Sequence, residues 1–359
     1  MIVYYFVFLI TLLFAYFIPA KTDKQWRWKL FWTFLPLFLF GALRVNFGND
    51  YVNYEGYFYE FHRKTFIFDP DSHAEYGYQL LNYLMPSFRS VLLLNSFLLY
   101  LALAVFCHRN IPREYLWLAV LLIFLNVEKN IYGTLVGVRN GFAVTTFLLG
   151  SVFIQKRKIL AFTGITVLAM SLHSSALFYM PVAYVVGHNT IITKKEILVW
   201  IIAAIAILMT SLSSMMYFLE QYLVDDYESY TRYLEGEGHR GWLLTITGLT
   251  LFFVTLYLFW GNRQSLNSNQ NSLVRLGIMY IITTLFGSLA FRAGYFYDMF
   301  FIGTVVTLFT FAKRSNDVMR KALVIISILM SVYSFFLWRT ATVGNVKYDE
   351  YHSILESIF

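Results

Sequence analysis

Long apolar segments with almost no charge follow one another along the chain, separated by short polar connections. Many windows of about 20 residues are nearly uncharged, and a helix of that length spans the ~30 Å hydrocarbon core of a membrane. Because the apolar runs are continuous rather than alternating, they favour a helical bundle over a β-barrel. The pattern therefore predicts an all-α polytopic integral membrane protein, with residues 1–359 forming a single integral-membrane domain.

The apolar segments predict about twelve transmembrane helices. Their approximate ranges are 2–20, 30–43, 88–107, 115–134, 136–155, 159–172, 174–187, 197–214, 241–260, 273–291, 295–312 and 322–338. Residues 159–187 fit either two short crossings or one bent re-entrant hairpin, because His173 lies in the middle. The pair over 273–312 is interrupted by polar and charged residues from Arg292 to Asp298.

Lysines and arginines divide the connections between the two sides of the membrane. Alternate connections hold 17 of the 28 basic residues but only four of the 21 acidic ones. These basic connections are 21–29, 107–114, 155–158, 188–196, 261–275 and 312–321. Basic connections are typically cytoplasmic, so both termini are predicted to be extracytoplasmic. The net charge of +7 then serves membrane insertion, and no nucleic-acid partner is expected.

Composition supports the membrane class and limits the chemistry. Hydrophobic residues make up 58% of the chain and charged residues 14%, whereas a soluble domain has about 25% charged residues. The single cysteine, Cys107, allows no intramolecular disulfide. The chain has no Gly-rich phosphate loop and no HExxH or CxxC motif, so neither a cofactor nor a metal site is predicted.

Two connections on the predicted outer side, 44–87 and 215–240, are long enough to fold, and both combine acidic residues with tyrosines. Aromatic rings stack on sugar faces, and carboxylates accept hydrogen bonds from sugar hydroxyls. The combination is therefore typical of a sugar-binding surface. Tyrosine is also the ordinary residue of the membrane interface, which leaves an interfacial role open.

Three arginines lie at the outer ends of predicted helices: Arg44, Arg139 and Arg292. A charge within a membrane helix costs about 2.5–3.5 kcal/mol, so such residues usually have a function. The guanidinium group binds phosphate oxygens in a bidentate manner, so three of them favour a lipid pyrophosphate as ligand. The alternatives are an interfacial position for Arg44 or Arg139 and an ion pair with Asp298 for Arg292.

A histidine and two carboxylates accompany these arginines. His173 lies within a Ser-Leu-His-Ser-Ser segment, where it could act as a general base or donate to phosphate. Asp50 and Glu75 are candidates for deprotonating an acceptor hydroxyl. The alternatives are a buried histidine bonded to neighbouring serines, and carboxylates that only neutralise Arg44 or Arg139.

In their order along the chain, these short motifs resemble the EpsG family, a branch of the Wzy-type polysaccharide polymerases. The motifs are Arg44…Gly48…Asp50…Tyr54, Glu75-Tyr-Gly-Tyr78, Val138-Arg139-Asn-Gly, Leu172-His173-Ser-Ser-Ala and Phe291-Arg292. The resemblance implies a multi-pass protein of the bacterial inner (plasma) membrane. It implies an O-antigen, capsule or exopolysaccharide polymerase that joins oligosaccharide repeat units carried on undecaprenyl pyrophosphate at the outer face. It also implies a metal-independent reaction and a separate membrane protein that regulates chain length.

Such a glycosyltransferase would use the growing chain on its lipid pyrophosphate as donor and one lipid-linked repeat unit as acceptor. The predicted pyrophosphate-binding residues are Arg44, Arg139 and Arg292. The predicted general bases are Asp50 and His173, ahead of Glu75. The predicted sugar-binding residues are Tyr51, Tyr54, Tyr78 and Tyr295.

Three other functions are alternatives to the polymerase. A flippase, or transporter of the lipid-linked unit, needs polar residues along a path from both sides, yet the inner halves of the predicted helices are almost purely apolar. A ligase that transfers finished polymer uses the same donor group at the same outer site, so it stays open. A non-catalytic member of an export complex does not account for arginines at the ends of several helices.

Overall fold

The computed structural model describes residues 2–62, 68–209, 241–285, 291–311, 317–342 and 351–353. Nearly all of these residues are helical, which confirms the all-α class. The predicted outer connection 215–240 lies outside the described residues, as does most of the C-terminal tail. The helices, in chain order, are α1 (Ile2–Phe17), α2 (Asp23–Leu43), α3 (Tyr51–His62), α4 (Tyr76–Leu84), α5 (Phe88–Asn110), α6 (Leu116–Leu125), α7 (Val138–Gln155), α8 (Ile159–Leu172), α9 (Ala176–Val186), α10 (Lys194–Met209), α11 (Gly241–Asn262), α12 (Ser268–Leu285), α13 (Phe291–Phe311) and α14 (Asp317–Thr342).

The chain divides into two compact units. The first consists of Met1–Asn189 with Ser331–Phe359, and the second of Thr190–Met330. The residues of α14 are therefore shared between the two units. That the chain acts as a single domain stays a prediction.

Three described helical segments are long and apolar enough to cross a membrane: Phe88–Asn110, Gly294–Phe311 and Asp317–Thr340. Four further apolar helices are shorter, and among them are α1, α8 and α9. Together with the composition, these helices support a membrane protein. The number of crossings, about twelve from the sequence, stays a prediction.

The prediction of one continuous helix over 115–134 is wrong. A 3₁₀ turn precedes α6, which ends at Leu125, and a π-helical segment, Glu128–Tyr132, follows after a bend of 82°. Asn130 lies within the break, and its side-chain amide is 3.4 Å from the carbonyl oxygen of Asn126. Polar side chains that bond to nearby carbonyl groups compete with regular helix, and this competition gives a physical reason for the bend.

The second helix starts seven residues before its predicted start at residue 30. The hydroxyl group of Thr22 accepts a hydrogen bond from the backbone N–H of Gln25, and the Gln25 side chain accepts one from the Thr22 N–H. This reciprocal capping box satisfies two of the backbone donors that a helix start leaves free. Most of the predicted polar connection 21–29 is therefore the first part of α2.

The outer connection 44–87 folds into two helices, α3 and α4. Along α3 the side chains of Tyr54, Phe58 and Phe61 follow one another at helical spacing and are buried. They pack in one apolar cluster with Phe88 and Val91 of α5. The amphipathic pattern of α3 thus fixes this helix against the ends of the longer helices.

In the first unit, four of the predicted basic connections meet. From connection 107–114, Arg113 donates to the carbonyl oxygen of Lys21 in connection 21–29 at 2.7 Å. Gln155 of connection 155–158 donates to the side chain of Asn110 in connection 107–114 at 3.1 Å. Asn189 in turn donates to the carbonyl oxygen of Gln155 at 3.2 Å. The grouping of these connections agrees with the sidedness expected from their charge.

In the second unit, the predicted basic connections 188–196 and 261–275 also meet. The Arg275 side chain is fully buried, and its Nε and Nη2 atoms lie 2.6 and 2.8 Å from the two carboxylate oxygens of Glu196. The guanidinium also donates to the carbonyl oxygen of Thr190. This bidentate pair joins α10 to α12.

Two short strands tie the C-terminal tail to the start of the outer connection. Strand β1 (Arg44–Val45) pairs antiparallel with β2 (His352–Ser353). Beside them the Tyr351 ring stacks on Phe40 with centroids 4.8 Å apart, and its hydroxyl donates to the Phe40 carbonyl oxygen at 2.8 Å. Residues 44–45 and 352–353 therefore lie on the same side of any membrane that the helices cross.

Candidate functional site

Glu75 lies at the centre of a polar cluster in the first unit. One carboxylate oxygen, Oε1, lies 2.9 Å from Nδ1 of His173 and accepts the backbone N–H of Ser174 at 2.8 Å. The other, Oε2, accepts from Nη1 of Arg139 at 2.9 Å. Three elements that are far apart in sequence thus meet at one carboxylate.

The backbone around each side chain makes this meeting possible. Glu75 immediately precedes α4, Arg139 is the second residue of α7, and His173 has an extended conformation in the break between α8 and α9. Gly77 lets α4 approach α8 closely, since a Cβ atom there would lie 2.3 Å from Oγ and 2.7 Å from the carbonyl oxygen of Ser171. A larger residue at this position would push Glu75 away from His173.

The electrostatic surroundings keep Glu75 ionised. Burial by itself raises the pKa of this carboxyl. The hydrogen bond with His173, the charge of Arg139 and the Ser174 N–H together lower the pKa by more than burial raises it. The net result is a pKa of about 2, below the usual 4.5. Glu75 is therefore a permanent anion at physiological pH and a poor proton acceptor.

Arg139 is the cation of the cluster, and two tyrosines of α3 contact it. Its guanidinium carbon lies 5.6 Å from the centre of the Tyr57 ring, and it forms a hydrogen bond with the buried Tyr54. Nη1 also donates to the carbonyl oxygen of His73. Among the described residues Nε has no hydrogen-bond partner although it is buried. Arg139 thus keeps a donor for a further acceptor.

His173 has one occupied and one open ring nitrogen. Its side chain is 14% exposed, and Nδ1 faces Glu75. Within the described part of the chain, no hydrogen bond to Nε2 is present. The imidazole can therefore offer Nε2 to a molecule that enters the cluster.

The structure places Arg44 in a different environment. Its side chain is buried, and Nη2 donates to the carbonyl oxygen of Leu135 at 2.8 Å and to the Asn95 side chain at 3.4 Å. Nη1 donates to Oγ of Ser96 at 3.0 Å and to the carbonyl oxygen of Gly41. The guanidinium thus joins the end of α2 to α5 and to the segment before α7, rather than to Glu75.

Four other predicted site residues have known positions. Asp50 is half-buried before α3, close enough to Tyr54 for its charge to act on that phenol. Tyr51 is half-buried with its ring edge-on to Phe88, 5.3 Å between centroids. Tyr78 is completely buried. Tyr295 is half-buried in the second unit, and the side chain of Arg292 lies outside the described residues.

Sequence reasoning missed Tyr57, the backbone of Ser174 and the carbonyl group of His73. The position of Tyr57 beside Tyr54 could have been predicted from the sequence, because Tyr57 lies three residues after Tyr54 on the amphipathic α3. The two backbone contacts carry no sequence signal. No group of three or more histidine, cysteine, aspartate or glutamate side chains among the described residues could hold a metal ion.

The cluster combines a fixed anion, a cation with a spare donor and an imidazole with an open nitrogen. Such a set can bind an anionic group and accept a proton next to it.

A protein-family model, described as the EpsG family, matches residues 27–353, nearly the whole chain and every residue of the cluster. No curated protein and no solved structure is significantly similar to the chain.

Proposed function

Because the chain belongs to the EpsG family, a Wzy-type polymerase-like family, we propose that it is a polysaccharide polymerase. It acts as a membrane glycosyltransferase that joins oligosaccharide repeat units carried on undecaprenyl pyrophosphate. The reaction takes place at the outer face of the bacterial inner (plasma) membrane and supplies O-antigen, capsule or exopolysaccharide. A chain-length-regulating membrane protein is the expected partner.

The observation that carries the proposal is the shared contact of Arg139 and His173 with Glu75. Glycosyl transfer from a lipid pyrophosphate needs a cation for the leaving group and a base for the acceptor hydroxyl. Both groups are present within one hydrogen-bonded cluster. The cluster lies next to tyrosine-bearing α3, whose residues suit contact with sugars.

In the proposed reaction Arg139 holds the leaving pyrophosphate, and its unpaired Nε–H is the donor available for this contact. The charge that develops on the leaving oxygen is stabilised by a cation already in place. A contact of Arg292 with the pyrophosphate stays a prediction from the sequence. Asp50 is the alternative to His173 as the base, and Tyr51 guides the sugar chain. Tyr54 is buried and holds Arg139 by a hydrogen bond, and a sugar contact of Tyr295 stays a prediction from the sequence.

Two predicted contacts are reassigned within the proposal. Both terminal nitrogens of the Arg44 guanidinium donate to protein acceptors, so Arg44 holds α2, α5 and the segment before α7 together. Tyr78 lies within the apolar cluster under α3, so it supports Tyr54 rather than touching sugar.

The test is the size profile of the lipid-linked and surface polysaccharide in a strain that lacks the gene. We expect the ladder to collapse to single repeat units on their final acceptor, and the wild-type gene to restore it. Arg139→Ala at normal protein level should behave like the deletion. The matched control is Arg27→Ala, since Arg27 is exposed and pairs only with Asp23 on its own helix among the described residues.

Three outcomes would contradict the proposal. Full-length polymer from Arg139→Ala would remove the assigned role of the arginine. Long polymer that persists on the carrier lipid but never reaches its acceptor would identify a ligase. Accumulation of single units on the cytoplasmic leaflet would identify a flippase.

A further inference from the structure

We propose that Glu75 is a positioning residue, which fixes the tautomer and orientation of His173 so that Nε2 is the proton acceptor of the reaction. This inference rests on the proposed polymerase function. It assigns Glu75 a role other than that of a base, and it assigns a single nitrogen atom to the proton transfer.

The geometry around Oε1 determines the tautomer. An ionised carboxylate is only an acceptor, so the 2.9 Å contact requires a proton on Nδ1 of His173. The neutral imidazole then carries its lone pair on Nε2. In free histidine the opposite tautomer, with the proton on Nε2, predominates. Glu75 therefore selects a form that the isolated side chain disfavours.

The carboxylate is itself held in place from two sides. The backbone N–H of Ser174 fixes Oε1 at 2.8 Å, and Arg139 fixes Oε2 at 2.9 Å. With three donors on its two oxygens, Glu75 is engaged in orientation and charge pairing, and its pKa of about 2 leaves it unsuited to proton uptake. Ser174, the residue after His173, thus helps to fix the Glu75 carboxylate that orients the His173 imidazole.

In the proposed step two bonds form and two bonds break. The acceptor hydroxyl oxygen forms a bond to the anomeric carbon of the donor sugar, and its proton moves to Nε2 of His173. The bond between the anomeric carbon and the pyrophosphate oxygen breaks, and its electron pair leaves with the pyrophosphate next to Arg139. The imidazolium that forms is stabilised by the adjacent Glu75 carboxylate, in the manner of a nucleophile–base–carboxylate triad.

The first experiment measures the tautomer directly. The full-length protein is labelled with ¹⁵N in its histidine rings and studied by NMR in lipid nanodiscs, at a pH where imidazole is neutral. The chain has seven histidines, and His173→Gln identifies the signal of His173. We expect a protonated Nδ1 and an unprotonated Nε2 in the wild type. A wild-type His173 with its proton on Nε2 would overturn the inference without any variant.

The second experiment follows the tautomer and the rate together. Glu75→Ala should shift His173 toward the Nε2-protonated form and lower the maximal rate of chain extension about 100-fold or more, the typical contribution of a positioned base. The KM for the lipid-linked acceptor should change little by comparison. Glu75→Gln keeps an acceptor oxygen for Nδ1–H, so it should retain the tautomer and recover part of the rate.

The matched control is Glu114→Ala, because Glu114 is an exposed carboxylate in the predicted basic connection 107–114, outside the cluster. It should leave both the His173 signals and the rate unchanged. If Glu75→Ala raised only KM, or left the Nδ1–H form in place, Glu75 would not be the positioning residue. If the wild-type protein made no polymer, the polymerase proposal would fail, while the tautomer measurement would still report on Glu75.

Discussion

Arg44 and Arg139 both lie at the end of an apolar segment in sequence, but their guanidinium groups have opposite surroundings. Arg44 is buried among neutral acceptors that the protein supplies itself. Arg139 pairs with a carboxylate, lies 5.6 Å from the centre of the Tyr57 ring and keeps an Nε without a partner among the described residues. The first arrangement suits a structural role, and the second suits a group that exchanges a partner during a reaction.

Removal of the Arg44 guanidinium is therefore expected to damage folding before it affects chemistry. Arg44→Ala leaves the buried acceptors of Ser96, Asn95 and Leu135 without a donor, at a cost of about 3 kcal/mol or more in unfolding free energy. The measurement is the melting temperature of the purified protein in detergent. Arg109→Ala, at an exposed position of α5, is the control. A normal melting temperature combined with loss of polymer would instead support the predicted role of Arg44 in pyrophosphate binding.

Glu75 links the stability of the first unit to pH in the acid range. Its pKa in the folded protein is about 2 against an ordinary 4.5, so its contribution is present above pH 4.5 and is lost as the pH falls toward 2. The shift corresponds to about 3 kcal/mol as an upper figure, since the carboxylate is partly exposed. The difference in unfolding free energy between the wild type and Glu75→Gln should fall to about half between pH 5 and pH 3. A difference that stays constant over this range would show that the carboxylate is not stabilised as described.

The sequence identified the members of the cluster but not their pairing. Glu75 and Arg139 are 64 residues apart, and Glu75 and His173 are 98 apart. No local pattern encodes such contacts. The possibility that a carboxylate neutralises Arg139 was open from the sequence, and Glu75 forms an ion pair with this arginine.

At the scale of elements, the close approach of α4 to α8 sets the position of Glu75. Gly77→Ala would place a methyl group 2.7 Å from the carbonyl oxygen of Ser171, a backbone atom that cannot turn away. We expect α4 to shift and polymer formation to fall about 100-fold, because small misplacements of reacting groups have effects of that size. The measurement is the polymer ladder together with the melting temperature, which should fall only modestly.

A second glycine provides the control for this substitution. Gly56 lies on α3, and a Cβ atom there meets nothing within 4 Å. Gly56→Ala should leave the ladder unchanged and stabilise the helix by about 0.5–1 kcal/mol. Equal activity of the two alanine variants would show that the contact between α4 and Ser171 does not position the cluster.

Helix type was easier to predict than helix ends and breaks. Long apolar runs predicted α5 and α7 within a few residues at their ends, since burial and backbone satisfaction in a membrane leave few alternatives. The bend after Leu125 was not predicted, because the long apolar run over 115–134 obscures the polar residues between 126 and 130. The apolar runs predicted no helix at α3 or α4, although the buried stripe of α3 follows helical spacing.

At the scale of the whole molecule, the contacts between connections constrain the topology. The pairing of Arg44–Val45 with His352–Ser353 requires an even number of crossings between them. The ten helices predicted after residue 44 satisfy this condition. The charge pattern predicted the two groups of connections, because the positive-inside rule acts on every connection separately and its signal adds along the chain.

The orientation of the two groups is testable with single cysteines, since the native Cys107 is completely buried and gives little background. Asp71 is exposed in the connection that carries Glu75, and Lys158 is exposed in one of the basic connections. In intact cells a membrane-impermeant maleimide should label Asp71→Cys, whereas Lys158→Cys should react only after permeabilisation. The reverse pattern would place Glu75, Arg139 and His173 in the cytoplasm, where nucleotide sugars rather than flipped lipid-linked repeat units are available. The proposed polymerase reaction would then lack its donor at the site of its chemistry.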